Sequence, residues 1–538
     1  MQTPRPLATV LGVFAAHFLA TTLAAATAAP ATPPNIVVIL VDDMGFSDLG
    51  SYGGEIPTPH LDRLAAGGLR FSQFYNTGRC CPTRASLLTG LYSHQTGIGN
   101  MVNDDGPDFP GYRGRLNDSC VTLAEVLKPA GYFTAVSGKW HVGQAAGVTP
   151  WNRGFDRSLN AAAGGFYQPG HPRALLFLNG EALADTDPRL GPAWYSTDLW
   201  TTFGLKFIDE ARAEKKPFFL YLAHNAPHFP LQASAADIAK FRGRFLAGWD
   251  QLRAERYARQ KSLGLIDARW SPAPRAAAVK PWADHTPAEQ DRFDHLMAAY
   301  AACVDRLDQA VGRLVAGLRE RDALDNTLIL FLSDNGGTAE GGPDGRSEGD
   351  PTAPNSAWFS GESWAGLQNT PFRRSKRYNH EGGIATPFIA HWPAGIAARG
   401  EWRSQPGHVV DLMPTLLDVA GARYPATHAG RPVLPPEGIS LRPAFASPAA
   451  PAVARTLFWE HEGHAAVRVG DWKLVRFGRQ GAWELYDFAS DRTELHDLAA
   501  AQPDRASDLA ARWKTWAARA HVEPAPGARK PAAKAAVE

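Results

Sequence analysis

The chain has 538 residues, 44% of them hydrophobic and 20% charged, which is typical of a globular protein and too long for one small domain. Its 55 Lys and Arg residues nearly balance its 54 Asp and Glu residues, so the formal net charge is only +1. This balance excludes a general attraction to nucleic acid or acidic membranes, and any anion must be bound by a local cluster of cations. Four cysteines are too few for a disulfide scaffold, and the sequence leaves open whether Cys120 and Cys303 pair.

The first 28 residues have the three-part pattern of a cleaved secretory signal. Arg5 supplies a positive start, residues 7–19 are almost unbroken apolar, and small residues follow at 26–28. The apolar stretch is short for a membrane-spanning helix, although an uncleaved anchor is an alternative interpretation. We expect a protein that is cleaved near Ala28, exported to the periplasm or secreted, and not stably associated with a membrane.

Three apolar, β-branched runs each end in polar residues. The runs are 35–41, 218–222 and 327–332, and they are followed by Asp42-Asp43, by His224 to His228 and by Ser333 to Gly336. Such runs are typical of strands buried on both faces of a parallel sheet. Residues 303–318 carry apolar side chains at helical spacing, so the pattern predicts an α/β sheet with helices on both sides. Because ligands gather beyond the carboxyl ends of such strands, we expect the polar clusters at one edge of the sheet.

The second half of the chain contains an insertion, a linker and a small β-rich region. Residues 232–285 are mostly polar and predict a helical insertion, whereas the Ala/Pro-rich stretch 447–454 predicts a linker. Four short apolar runs then predict a small antiparallel sheet: 456–459, 465–469, 472–475 and 483–486. A helix is expected near 505–518, and the Ala/Pro/Lys-rich residues from Pro524 onward predict disorder.

The sharpest signal is the run Cys80-Cys81-Pro82-Thr83-Arg84, which continues to Leu88-Thr89-Gly90. Composition alone would make it a loop that enters a helix and carries a buried thiol. The run resembles the signature of the type I sulfatases of the alkaline phosphatase superfamily, Cys-x-Pro-Ser/Thr-Arg followed by Leu-Thr-Gly, and long bacterial arylsulfatases are most similar in pattern. The resemblance covers residues 34–498.

This resemblance implies an alkaline phosphatase-like fold of the α/β class. We expect a large mixed, mostly parallel sheet between helices, with a smaller C-terminal antiparallel sheet plus a helix. In terms of domains, it implies a catalytic domain over 33–446, a small α+β domain over 455–522 and a disordered tail over 523–538.

The resemblance also implies that a maturation enzyme of the host oxidises Cys80 to Cα-formylglycine. Cys80 matches the converted residue because it lies two residues before Pro82 and four before Arg84, while Cys81 occupies the variable position. The hydrated aldehyde carries two hydroxyls, one to attack sulfur and form a covalent sulfo-formylglycine, the other to expel sulfate later. A helix starting near Thr83 is expected to point free N–H groups toward the anion.

Asp42, Asp43, Asp334 and Asn335 are similar in position to the family's metal ligands, with Cys80 as a fifth. Polar pairs at strand ends could instead be solvated caps. Oxygen ligands favour Ca²⁺ or Mg²⁺ over zinc, and the resemblance implies one calcium ion. Such an ion would polarise the sulfate and hold the attacking hydroxyl as an alkoxide.

Further motifs match the family's sulfate-handling residues. By resemblance, Lys139 binds sulfate, His141 takes the proton of the second hydroxyl, and His228 protonates the leaving alcohol or phenol. Lys376 matches a second sulfate-binding lysine, although Arg374 lies close by. The implied catalytic set is Cys80, Arg84, Lys139, His141, His228, Asp334 (which also accepts the nucleophile's proton) and Lys376, and the implied substrate-binding set is Lys139, His228 and Lys376.

The implied function is the hydrolysis of sulfate monoesters of the aryl type, with a small-molecule sulfate ester as the partner. One alternative is a formylglycine-dependent phosphonate or phosphate ester hydrolase of the same superfamily, and another is an exported, non-catalytic calcium-binding protein of the same fold. The natural substrate stays open among aryl, carbohydrate, steroid and alkyl sulfates. Residues 160–191 and 232–285 are expected to shape the mouth of the pocket, where Phe166, Tyr167 and Trp194 either stack on a substrate ring or pack in the core.

Overall fold

The structure is a computed structural model that describes Met1, residues 32–451 and residues 453–527. The predicted leader, apart from Met1, and residues 528–538 of the predicted tail lie outside the described residues. None of the helices in the described ranges is long and apolar enough to cross a membrane.

Strands and helices alternate through the first part of the chain. The strands are β1 (Asn35–Val41), β2 (Leu69–Tyr75), β3 (Phe133–Lys139), β4 (Arg157–Ala161), β5 (Leu176–Leu178), β6 (Glu181–Leu183), β7 (Phe218–Ala223), β8 (Thr327–Ser333), β9 (Arg346–Glu348), β10 (Ala357–Phe359), β11 (Ala385–His391), β12 (Glu401–Arg403), β13 (Gly407–His408), β14 (Thr427–His428), β15 (Arg431–Pro432), β16 (Thr456–His461), β17 (His464–Val469), β18 (Trp472–Arg476) and β19 (Trp483–Asp487). The helices are α1 (Pro59–Ala66), α2 (Cys80–Thr89), α3 (Leu123–Leu127), α4 (Ser196–Ala213), α5 (Ala235–Ala239), α6 (Gly248–Ser262), α7 (Pro287–Glu320), α8 (Gly361–Gln368), α9 (Glu381–Ile384), α10 (Leu412–Ala420), α11 (Arg442–Ala446) and α12 (Pro503–Arg519).

The large sheet has the strand order β12-β2-β11-β8-β1-β7-β3-β4-β5-β6, with β13 paired to β2. Its centre is parallel, since β1 pairs in parallel with both β7 and β8, and β3 pairs in parallel with β7 and β4. Strand β11 runs antiparallel to β8 and β2, which makes the sheet mixed. The predicted large, mostly parallel sheet is therefore confirmed.

Both faces of this sheet are covered, as the unbroken apolar strands predict. In β1, Val37 and Ile39 pack into one buried cluster, together with residues of α4 and α7, whereas Ile36 and Val38 pack into a second cluster on the opposite face. Helices α2, α3 and α10 supply side chains to that second cluster. Burial on both sides fixes the register of the central strands, because a shift of one residue would exchange the two faces.

Helix α7 is longer than the segment predicted for it. It begins at Pro287, where the hydroxyl of Thr286 accepts a hydrogen bond from the Glu289 amide and the Glu289 carboxylate accepts one from the Thr286 amide. This capping box, with proline in the first turn, is a strong start signal. The predicted insertion at 232–285 contains α5 and α6.

A small antiparallel sheet, β16-β17-β18-β19, follows the linker, as predicted. Helix α12 covers it, burying Trp513 and Trp516 against Val467, Leu474 and Leu485. The exact domain boundaries stay a prediction.

Buried ion pairs connect the C-terminal region to α9, which directly precedes β11 of the large sheet. Lys473 Nζ lies 2.9 Å from Glu381 Oε1, and within the C-terminal region it also lies 2.8 Å from Glu494 Oε1. Arg492 Nε also lies 2.8 Å from Glu381 Oε2. Glu381 is therefore held from two sides by cations of the C-terminal region.

Candidate active site

Neighbouring strand ends bring the predicted residues together at one edge of the large sheet. Strands β8, β1, β7 and β3 are adjacent and parallel, so their carboxyl ends meet. Asp334 follows β8, Asp42 and Asp43 follow β1, His228 lies in the loop after β7, and Lys139 is the last residue of β3. The expectation that the three polar clusters share one edge is confirmed.

Gly138 allows β3 to approach β7 closely beside this edge. It pairs with Ala223 and has a φ of 124°. A Cβ atom at this position would lie 1.9 Å from the carbonyl oxygen of Ala223, so only glycine fits without moving the strands. The glycine thus fixes the place from which Lys139 enters the site.

Helix α2 begins at Cys80, three residues before the predicted start near Thr83. Cys80 therefore lies in the first turn, and Arg84 lies one turn further along the same helix. The fully buried Arg84 guanidinium donates from Nε and Nη2 to Asp334 Oδ2 at 3.1 and 2.7 Å, and from Nη1 to the Lys139 carbonyl at 2.9 Å. Arg84 thereby connects the helix to the ends of β8 and β3.

His141 faces the thiol of Cys80. Its Nδ1 lies 3.5 Å from Cys80 Sγ, and its amide donates to the Ala162 carbonyl at 3.0 Å. Burial, aided by the nearby Lys139 charge, lowers the pKa of His141 to about 4. A hydrogen bond from Cys81, together with the charge of Lys139, holds the pKa of the Cys80 thiol well below its ordinary value despite burial.

Each buried carboxylate of the site is paired with a Lys or Arg side chain through one of its oxygens, and Asp42 Oδ2 also lies 3.5 Å from Arg84 Nη2. Lys139 Nζ lies 2.6 Å from Asp42 Oδ2, and Lys376 Nζ lies 2.6 Å from Asp43 Oδ1. Although burial opposes charge on both groups, the Lys139 ammonium lowers the pKa of Asp42, and Asp42 raises the pKa of Lys139. Burial and the Asp42 charge instead raise the pKa of Asp334 well above its ordinary value.

The second oxygen of each carboxylate has no donor. Asp42 Oδ1, Asp43 Oδ2, Asp334 Oδ1 and the amide oxygen of Asn335 are all buried without a hydrogen-bond partner. The Asn335 amide itself donates to Asp43 Oδ1 at 2.7 Å, which turns its oxygen the other way. Four buried oxygens without donors are costly unless a cation lies between them, so these four residues fit the predicted calcium site.

His228 also approaches this cluster. Its Nε2 lies 3.7 Å from Asp43 Oδ2. One possible ligand atom from each of Asp42, Asp43 and His228 lies within 4.8 Å of the other two, so His228 is a further candidate ligand. We favour the four oxygens as the ligand set, because all four lack a donor and because a hard cation prefers oxygen.

An aromatic wall lies beside His228. The rings of His228 and Phe229 stack with centroids 4.2 Å apart, and Phe229 stacks on Phe359 at 4.6 Å. Lys376 Nζ lies 5.2 Å from the Phe229 ring centre. Phe359 belongs to β10, so the hairpin β9–β10 contributes one side of the site.

Some residues at the site were not predicted. Arg79, directly before Cys80, pairs with Glu340 at 3.0 Å, and the Lys376 and Arg79 charges lower the pKa of Glu340 despite its burial. The sequence could have indicated Arg79, because it lies next to Cys80, whereas no sequence motif marks Glu340 or Phe359 as residues of the site. Glu340 reaches the site through a loop and Phe359 through a three-residue strand, and sequence patterns place neither.

The aromatic residues expected near the mouth are in the core. Phe166 and Tyr167 are fully buried, and Trp194 is 6% exposed. Of the two alternatives, the side chains therefore pack in the core and do not stack on a substrate ring. Tyr167 instead donates a hydrogen bond to the His228 carbonyl at 2.7 Å. A cavity of about 610 Å³ beside Trp249, Arg253 and Arg374 is likewise not lined by the catalytic candidates.

Comparisons with known proteins agree with this geometry. The family model described as Sulfatase matches residues 34–422, and the model described as N-sulphoglucosamine sulphohydrolase, C-terminal, matches residues 373–515. An uncharacterized sulfatase of Schizosaccharomyces pombe is 35% identical, covering 92% of this chain and 95% of that protein. An arylsulfatase of Klebsiella aerogenes is also 35% identical, covering 77% of this chain and 93% of its own.

Solved structures give the same result. The crystal structure of Ps i-CgsB in complex with k-i-k-neocarrahexaose has a TM-score of 0.66 and 27% identity, covering 90% of this chain and 93% of that chain. Since the family model covers most of the chain and the relatives align over most of their length, the protein belongs to the type I sulfatases of the alkaline phosphatase superfamily, a family of sulfuric ester hydrolases that use formylglycine and a divalent metal.

Proposed function

We propose that this protein hydrolyses sulfate monoesters of the aryl type to a phenol and inorganic sulfate, with formylglycine at position 80 and one calcium ion. The observation that carries the proposal is the different surroundings of the two oxygens of each carboxylate at the sheet edge. Each of Asp42, Asp43 and Asp334 uses one oxygen for a cationic side chain and leaves the other without a donor, directly beside the residues that flank Cys80.

Two groups supply chemistry that unmodified side chains lack. The hydrated aldehyde of residue 80 supplies two hydroxyls on one carbon, so that one can attack sulfur and the other can release sulfate. A calcium ion held by Asp42, Asp43, Asp334 and Asn335 supplies positive charge next to the sulfate oxygens and the attacking hydroxyl.

The remaining work falls to the side chains of the site. Lys139 and Lys376, each next to an aspartate of the cluster, bind and orient the sulfate oxygens. Arg84 holds Asp334 so that its free oxygen faces the cluster, and Asp334 accepts the proton of the attacking hydroxyl. Because burial keeps His141 neutral at pH 7, its Nδ1 can accept the proton of the other hydroxyl.

His228 is the proposed donor of the proton to the leaving oxygen. Its Nδ1 contacts the Phe229 carbonyl, so Nδ1 carries a proton and Nε2 is the nitrogen that faces the cluster. Burial lowers the pKa of His228 and the Asp43 and Asp42 charges oppose this, so the fraction of His228 that is protonated at both nitrogens can donate from Nε2 to the phenol oxygen as the S–O bond breaks. The Phe229 and Phe359 rings beside it favour a flat, apolar leaving group.

Replacement of Cys80 tests the proposal. We expect Cys80→Ala to abolish sulfate release from an aryl sulfate while the folded structure is kept, and mass analysis of the peptide that contains residue 80 to show the aldehyde in the active wild type. The buried but remote thiol of Cys120 provides the matched control, and Cys120→Ala should stay active. An active protein with an intact thiol at position 80 would contradict the mechanism.

A substrate comparison separates this proposal from its alternatives. Relative rates on an aryl sulfate and on the matching aryl phosphonate ester decide between a sulfatase and a phosphonate or phosphate ester hydrolase, and we expect the sulfate to react faster. Turnover of either ester excludes a purely calcium-binding role. Because one relative was crystallised with an oligosaccharide, sulfated oligosaccharides belong in the same screen.

Export and maturation are part of the proposal. We propose that the leader is removed near Ala28, that the protein acts in the periplasm or outside the cell, and that a host enzyme converts Cys80. The basic start and apolar run of the first 28 residues support export. N-terminal sequencing of protein isolated from cell fractions tests this, since an uncleaved N-terminus in the cytoplasm would contradict it.

A further inference from the structure

Before any conversion, the thiol of Cys80 is part of a compact group of soft donors. Cys80 Sγ, Cys81 Sγ and one ring nitrogen of His141 all lie within 4.8 Å of one another, and all three residues are buried. Of the three residues, only Cys80 also belongs to the ligand set that the resemblance implies for the calcium site of Asp42 and Asp43. The sulfatase reaction gives no task to Cys81.

The distances within this group are those of a small metal site. Cys80 Sγ lies 3.5 Å from His141 Nδ1, and Cys81 Sγ lies 3.8 Å from the thioether sulfur of Met101. Ligand atoms of a tetrahedral ion with bonds of about 2.0–2.3 Å lie about 3.3–3.8 Å apart. Two thiols and an imidazole are therefore close enough to bind one ion together, and the Met101 thioether lies next to one of the thiols.

The donor chemistry selects the class of ion. Thiolate and thioether ligands prefer Cu⁺, Zn²⁺ and related soft d¹⁰ cations over calcium or magnesium. The positive side chains of Lys139 and Arg79 lie near enough to interact with the Cys80 sulfur, and each of them is also paired with a carboxylate, of Asp42 and Glu340 respectively.

We propose that the protein with an unconverted Cys80 binds one soft d¹⁰ metal ion through Cys80, Cys81 and His141, with Met101 as the nearest further donor. Each thiol gives up its proton to solvent when it binds, and no oxidation is involved. Formylglycine has no sulfur, so conversion of Cys80 removes the site. The inference concerns the thiol form and does not rest on the proposed function.

Cadmium binding to the full-length protein tests the inference. The protein is made in a host without the maturation enzyme, mass analysis confirms the thiol at position 80, and Cd²⁺ is added with calcium in excess so that the carboxylate cluster is not available to it. We expect one Cd²⁺ per chain and a thiolate-to-cadmium absorption band in the ultraviolet difference spectrum. Cys81→Ser should raise the Kd by more than roughly 100-fold, because losing a ligand costs more than losing the outer-shell contacts that support one.

Two further variants keep the experiment decisive. The double variant Cys120→Ser/Cys303→Ser removes the two thiols outside the group and should bind cadmium as the wild type does. Near-ultraviolet circular dichroism shows whether Cys81→Ser is folded, and Cys81→Ala takes its place if it is not. Unchanged affinity in the folded Cys81 variant, or loss of the band in the double variant, would overturn the inference.

Discussion

At the scale of single residues, the site consists of three buried cation–carboxylate pairs with three unused carboxylate oxygens and one unused amide oxygen. Within the described residues, no protein group donates a hydrogen bond to these oxygens. Because an ion that binds only the folded state stabilises it, calcium should act as a stabilising ligand.

Calcium addition is therefore expected to raise the stability of the protein. At a calcium concentration about 100-fold above its Kd, the free energy of unfolding should increase by about 2.7 kcal/mol over that in chelator. Denaturant titrations in calcium, magnesium and chelator measure this increase. Asp42→Asn should respond much less, whereas Asp48→Asn should respond as the wild type does, since Asp48 is equally buried but pairs with Arg256 outside the cluster. An equal response of the two variants would place the ion elsewhere.

Replacement of His228 should lower kcat/KM most for sulfate esters with poor leaving groups. General-acid assistance is worth about 10²–10⁴-fold in rate, and it matters little for a phenol that leaves readily as its anion. We expect His228→Gln to lower kcat/KM strongly for alkyl sulfates and for phenyl sulfate, and weakly for a nitrophenyl sulfate. Plotting log kcat/KM against the pKa of the leaving group should give a steeper slope for the variant, and parallel lines would exclude His228 as the acid.

The sequence could predict that the candidate ligand and catalytic side chains lie close together, because their motifs follow strand ends or begin α2. It could not predict how they pair. The assignment of Lys139 to Asp42 and of Lys376 to Asp43 depends on side chains that approach from different strands and loops. The same holds for the separation of Phe229, which lines the site, from Phe166 and Tyr167, which lie in the core.

At the scale of elements, the central strands were predicted well because an apolar run buried on both faces has few other solutions. The observed β7 and β8 each extend the predicted run by one residue. Helix α7 was underestimated, because the sequence argument began where the apolar spacing is densest and passed over the capping box at Thr286. The short strands β5, β6, β12 and β13 at the two ends of the sheet were not predicted, because two or three residues carry no periodic signal.

The start of α7 can be tested directly. Thr286→Ala removes the hydroxyl that accepts the Glu289 amide, so the free energy of unfolding should fall by about 1 kcal/mol. Thr286→Ser keeps the cap and should lose only a few tenths of that amount. Urea unfolding of both variants measures the difference, and equal losses would show that the methyl group, not the cap, is what matters.

At the scale of the whole molecule, the C-terminal sheet is bound to the loop that carries Lys376. Lys473 and Arg492 both pair with Glu381, which begins α9 five residues after Lys376. Because removing one partner of a buried pair leaves an uncompensated charge, the two sheets are expected to unfold together. The sequence predicted both sheets but could not predict this connection.

Buried histidines should make the protein sensitive to mild acid. Burial lowers the pKa of His224 and His408 to about 3, and that of His461 to about 4. Above pH 6.5 these groups are neutral in both states and contribute nothing. Below it the unfolded chain binds protons that the folded chain does not, so stability falls by up to about 1.4 kcal/mol per pH unit for each histidine.

Urea unfolding between pH 7 and pH 5 measures this slope. His408→Gln should reduce the slope of the free energy of unfolding against pH by up to the contribution of one bound proton. Replacement of the exposed His496 by Gln should leave this slope unchanged. A slope that is the same in the His408 variant and the wild type would show that other groups cause the acid sensitivity.

The hairpin β9–β10 has a consequence for how such an enzyme changes its substrate. The residues proposed to handle sulfate come from α2, from the ends of four central strands and from the loop before α9, whereas the hairpin supplies the Phe359 ring that faces the proposed leaving group. Exchanging residues 345–360 would therefore replace the surface that meets the organic part of the ester and leave the anion-binding centre as it is. In this fold, a change of reaction requires changes at the edge of the large sheet, whereas a change of substrate specificity requires only a different hairpin.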